Sequence, residues 1–149
     1  MKYTISDDGL ELIKQHEGFR SAAYLCPAGV LTIGYGHTSD VHGGMNITQT
    51  EADDFLREDV RSAAACVSAA VRTPLNQHEA DACISFVFNL GCGAFRSSTL
   101  LRLINDGDME GAAGQFIRWN KATVDGVLQP LAGLTHRRAA EAEMFMRSA

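Results

Sequence analysis

Glu17, Cys26 and Thr32 stand in the spacing E-x8-C-x5-T, and Thr32 runs directly into Ile33-Gly34-Tyr35-Gly36-His37-Thr38. A carboxyl can hand over a proton, while a thiolate or hydroxyl opposite it can attack or activate water. That division of labour is what hydrolysis of a glycosidic bond requires. Gly18 follows Glu17 immediately and is a helix-stop signal, so the carboxyl is expected at a helix C-terminus. The negative end of the helix dipole there disfavours a second negative charge. Cys26 can take part only if its surroundings favour the thiolate, because an ordinary thiol is mostly protonated at neutral pH. The plainer alternative for Cys26 is a packing residue ahead of Pro27, and a Cys26–His37 dyad for acyl transfer is a third reading.

These three residues need elements to hold them. Ser6 followed by Asp7 and Asp8 reads as an N-cap with an acidic first turn, and the helix it opens should end at Glu17. From Ala22 to Ile47, short β-favouring runs alternate with Pro27 and Gly29, Gly34, Gly36, Gly43 and Gly44, which predicts a small twisted sheet. Thr48-x-x-Glu51 is a capping box, and the absence of a breaker up to Arg72 predicts one helix of more than twenty residues. Asn76-x-x-Glu79 is a second box opening the apolar helix Ala80 to Leu90, which Gly91 and Gly93 close. Further helices are expected from Ser97 or Ser98 to Asn105, from Asp108 to about Trp119, and from Thr135 to Arg147. The fold class is therefore α+β and mostly helical.

The 149 residues are 46% hydrophobic and 21% charged, an ordinary globular composition. Thirteen Lys and Arg stand against eighteen Asp and Glu, too acidic a balance for affinity built on phosphate neutralisation, so nucleic acid is not an expected partner. The deficit lies in residues 1–71, net −5, while residues 72–149 are neutral. No apolar run is long enough to cross a bilayer, and the N-terminus lacks the apolar core of a secretory signal, which places the expected starting point in the cytoplasm. The four cysteines include no close-spaced metal pair; Cys66 and Cys83 read as small buried apolar residues. No cofactor and no metal is expected.

The E-x8-C-x5-T spacing, with Glu17-Gly18-Phe19-Arg20 before it and Tyr24 and Gly36-His37 in step, resembles the phage-type lysozymes, glycoside hydrolase family 24. The similarity continues through Glu58-Asp59-Val60, Phe86-Val87-Phe88-Asn89-Leu90-Gly91, Arg118-Trp119 and Arg137-Arg138-Ala139. The resemblance implies a lysozyme-like domain over residues 1–149, with an N-terminal β lobe (1–47), a bridging helix (48–72) and a helical C-terminal lobe (73–149). It implies Glu17 as general acid and Thr32 as the holder of the attacking water, with Cys26 where the family most often has a carboxylate. Asn89 would reach a sugar N-acetyl group, with a helix-end cap as its alternative role, and Arg118 would stand beside the cleft as a second substrate-binding residue. His37 would pair with Asp59, Arg138 would approach Glu17, and Trp119 would serve packing more than sugar stacking. The implied function is that of a bacteriolytic endolysin: a muramidase cutting the β-1,4 bond between N-acetylmuramic acid and N-acetylglucosamine in peptidoglycan. It would act as a monomer after holin-dependent release to the periplasm or wall. Two alternatives stand beside it, an impaired peptidoglycan-binding module and a cysteine-dependent wall amidase.

Overall fold

The computed structural model describes residues 1–147. Helix α1 (Asp7–Glu17) leads into the antiparallel strands β1 (Arg20–Leu25) and β2 (Leu31–Gly34), and the long helix α2 (Gln49–Ala70) follows. Then come α3 (Gln77–Leu90), α4 (Cys92–Arg96), α5 (Thr99–Asn105), α6 (Met109–Ala113) and a 3-10 turn at Phe116–Trp119. A second hairpin, β3 (Lys121–Val124) and β4 (Val127–Pro130), precedes the last helix, α7 (Ala132–Phe145).

The capping signals become hydrogen bonds. Ser6 Oγ accepts from the Gly9 amide at 3.3 Å, and Gly18, at φ 73°, donates back to the Lys14 carbonyl to close α1 just behind Glu17. Both capping boxes are complete in both directions, Thr48 with Glu51 and Asn76 with Glu79. Each satisfies two amides that a helix start otherwise leaves without partners. Strands β1 and β2 pair Tyr24 with Thr32 and Leu25 with Leu31, with an irregularity between Arg20 and Tyr24.

Helix α3 is the axis of the core, buried without interruption from Ala80 to Val87. Helices α1, α2 and α7 surround it. Phe86 meets Phe95, Phe116 and Trp119 with ring centroids 5.5–6.0 Å apart, and Phe116 continues to Phe145. Removing each of these rings from water contributes about 1.5–3 kcal/mol. Trp119 therefore packs edge-on against Phe86, as a core residue does.

Several elements differ from the sequence expectation. The segment from Asp108 to Trp119 is two pieces, because α6 ends at Ala113 and the chain tightens into a 3-10 turn only after Gly114 and Gln115. Helix α7 begins at Ala132, three residues before Thr135. Its first residues carry no side-chain cap, and Asn120 instead donates to the Thr135 hydroxyl at 3.1 Å. The β3–β4 hairpin is an addition to the expected elements; its turn is Asp125-Gly126, both at positive φ, the short-range signature of a tight hairpin. Cys66 is buried as expected but is not a free apolar residue: it is disulfide-bonded to Cys92. The break at Gly91 starts α4 against α2 and leaves the two Cα atoms 5.9 Å apart, a proximity that sequence separation does not reveal.

Candidate active site

Glu17 is the last residue of α1, and its carboxylate faces the C-terminal helix. Arg137 Nη1 donates to Glu17 Oε2 at 2.5 Å, pairing a 3% exposed arginine with a carboxylate whose side chain is 23% exposed. This corrects the expectation for Arg138. Successive helical residues point about 100° apart, so when Arg137 faces the end of α1, Arg138 turns inward. There Arg138 meets Glu141 at 2.7 Å, lies over the Phe86 ring and donates to the Trp119 carbonyl.

Two cavities meet at Glu17. One, of about 350 Å³, is lined by Glu17, Gly36, Thr38, Asp59, Phe88 and Asn89. The other, of about 660 Å³, continues along His16, Glu17, Asn89, Leu134, His136 and Arg137. Glu17 and Asn89 belong to both, so the carboxylate stands part-way along a groove with room on either side. The amide oxygen of Asn89 is buried and has no hydrogen-bond partner among the described residues. An orphaned acceptor costs free energy unless a ligand or water donates to it. Arg118 stands exposed on the 3-10 turn and lines neither cavity.

Gly36 forms part of the wall, a place beyond the tight turn that its glycine character implies. Its φ is +83°, and a Cβ placed on it would come within 3.1 Å of Glu17 Oε1. Both observations call for glycine there. His37 beside it uses Nδ1 to bond Asp59 Oδ2 at 2.8 Å, while its ring stacks on Phe55 with centroids 4.2 Å apart. The contact joins the turn after β2 to α2.

Cys26 and Thr32 are brought together by the β1–β2 hairpin, where the Cys26 amide donates to the Val30 carbonyl at 3.0 Å. Neither lines the two cavities at Glu17. Thr32 is 5% exposed and its hydroxyl donates to the Val30 carbonyl at 2.9 Å. Hydrogen bonding at the backbone of Val30, and after it of Ala28, holds the half-buried Cys26 thiol below the usual thiol range; the Thr32 hydroxyl adds to this and partial burial opposes it. Cys83 is the reverse case, its thiol pushed up by complete burial. Among the described residues no group of His, Cys, Asp and Glu is arranged to hold a metal ion.

The family model described as phage lysozyme matches residues 14–141, which includes every residue of this site. The chain belongs to the phage lysozyme family. An endolysin of Acyrthosiphon pisum secondary endosymbiont phage 1 is 48% identical over 141 residues, covering 95% of this chain and 97% of its own. The endolysin of Escherichia coli O157:H7 phage FAHEc1 superposes with a TM-score of 0.94 at 37% identity, over all of this chain and 97% of that one. The muramidase domain of SpmX from Asticaccaulis excentricus gives 0.93 at 40% identity, over 98% and 99%. A phage lysozyme with a small hairpin beside a helical body is thus what the sequence pattern and the fold both describe. Arg137 and Gly36 are the site residues that sequence reasoning missed. The doublet Arg137-Arg138 gave a signal one residue wide, and only the rotational setting of α7 separates its members.

Proposed function

We propose that this phage lysozyme hydrolyses the β-1,4 bond between N-acetylmuramic acid and N-acetylglucosamine, with Glu17 handing its proton to the glycosidic oxygen. The observation that carries the reading is the groove that passes Glu17 on both sides and has Asn89 in both parts. A glycan strand lying along it would place sugars on either side of one carboxyl, as leaving-group protonation needs. The unpartnered Asn89 amide oxygen suits the N–H of an N-acetyl group.

On the hairpin, Cys26 is the base or nucleophile and Thr32 steadies the water it activates. The depressed thiol supports this, since hydrogen bonds that favour the thiolate make it a better stand-in for a carboxylate than an ordinary thiol. His37 serves the fold through Asp59 and Phe55, so a Cys26–His37 dyad has no supporting contact and wall amide cleavage is not favoured. No helix among the described residues is long and apolar enough to cross a membrane. We infer a monomeric endolysin that waits in the cytoplasm and reaches the wall through a holin lesion.

Purified protein acting on peptidoglycan tests the reading. New reducing ends that vanish in Glu17→Gln support it. Binding to wall material with no cleavage product identifies a binding module instead, and new amino termini without reducing ends identify an amidase.

A further inference from the structure

Glu141 lies in the core with no exposed surface, an unusual place for a carboxylate. It is held from three sides. Ser85 of α3 donates to its Oε2 at 2.5 Å, Arg138 reaches Oε1 at 2.7 Å and Oε2 at 3.1 Å, and Arg137 Nε reaches Oε2 at 3.4 Å. Arg137 is thereby shared. Its Nε faces Glu141, its Nη2 faces the Ser85 carbonyl and hydroxyl, and only Nη1 is left to grip Glu17.

The chain Glu141, Arg137, Glu17 alternates in charge, and Arg138 closes it at the buried end. Burial pushes Glu141 up and Arg138 down, and each draws the other back toward its charged form. Other titratable groups face the cluster from the neighbouring elements. Cys83 and Glu79 of α3 couple to one another and Cys83 to Glu141, while His16 of α1, Asp59 of α2 and His136 of α7 line the groove around Glu17.

We propose that Glu141 is a positioning residue for catalysis: it holds Arg137 from behind, so that the arginine orients the Glu17 carboxyl with part of its own charge already answered. An unopposed guanidinium at 2.5 Å would favour the carboxylate form of Glu17 and make it a poorer proton donor. Glu141 offsets part of that positive charge. The geometry also sets the direction of the effect, because Arg137 alone contacts Glu17, whereas Arg138 turns to Glu141 and the Trp119 carbonyl and its charge reaches Glu17 more weakly.

The proposal rests on Glu17 being the proton donor, so its test has two readouts. Reducing-end release is followed against pH in wild type, Glu141→Gln and the double variant Glu141→Gln with Arg138→Gln, and the Glu17 carboxyl is titrated by NMR in the same proteins. Glu141→Gln should move the alkaline limb of the activity profile, and the Glu17 titration with it, to lower pH by about half to one unit. The double variant removes both charges of the buried pair, which keeps the core free of a stranded guanidinium should the single variant not fold. It should shift the same way by less. A merely structural Glu141 would lower the melting temperature and leave both limb and titration in place in a folded variant, and that result overturns the proposal. If Glu17→Gln stays active, the proton-donor reading fails, whereas the NMR titration still decides whether Glu141 acts on Glu17.

Discussion

Cys26, just past β1, and Thr32, on β2, belong to a hairpin in which Leu25 and Val30 stand 65% and 45% exposed. Glu17 is gripped by Arg137, which α7 carries into the buried cluster of Ser85, Arg138 and Glu141. One side of the site is thus a hairpin tied to the helices by a few contacts, chiefly His37 with Asp59 and the packing of Ile33 and Tyr35. The other is an ionic network sealed under an aromatic core. The difference teaches where precision is needed. A proton donor must be held in angle and charge state, and a low-dielectric setting does that most strongly. On the hairpin, Cys26 and Thr32 rest on hydrogen bonds to backbone instead, chiefly at Val30.

Substitutions on the two sides should separate them. Glu17→Gln removes the proposed proton donor without changing its shape, and glycan cleavage should fall by about 10²–10⁴-fold with the melting temperature little altered. A variant retaining wild-type turnover would transfer the chemistry to the hairpin. Arg138→Met leaves the buried Glu141 with one arginine fewer, and unfolding in urea should show a loss of about 3–5 kcal/mol, since breaking a buried pair strands a charge. Replacing both members together should cost much less. Reducing the Cys66–Cys92 disulfide, whose residues are 26 apart in sequence, should cost about 3.5 kcal/mol by releasing the chain between them. Thermal unfolding with and without reductant measures it, and most of the loss should fall on the helical side, where α2 and α4 are joined.

Gly36→Ala probes the seam between the two regions. Its positive φ and the contact with Glu17 should together cost about 1–2 kcal/mol. We expect kcat to fall more than KM rises, because the methyl group meets the carboxyl directly. The mildest perturbation is alkylation of the oxidised protein. Iodoacetamide should label Cys26 and spare Cys83, with a rate that rises at lower pH than for a free thiol, because hydrogen bonding at Val30 and Ala28 favours the Cys26 thiolate while burial suppresses that of Cys83. Peptide mass mapping against pH follows it. Labelling that leaves turnover intact would remove Cys26 from the mechanism and leave the helical side to act with water alone.

Much of this molecule is written in short-range chemistry. Ser6, Thr48 with Glu51, Asn76 with Glu79, and Gly18 after Glu17 act within one turn of chain, so the start of α1, both boxed helices and the position of Glu17 at a helix end were legible from residues 6 to 79 alone. The turn at Asp125-Gly126 is equally local, an Asp-Gly pair at positive φ. Tertiary structure decided what depends on how one helix is rotated and seated against another. It chose Arg137 over Arg138 for Glu17, closed Cys66 onto Cys92, sank Glu141 between two arginines and left the Asn89 oxygen unpartnered in the groove. A cap is satisfied by neighbours three residues away. A guanidinium finds its carboxylate only after 120 residues of chain have packed, and sequence spacing carries no record of that phase.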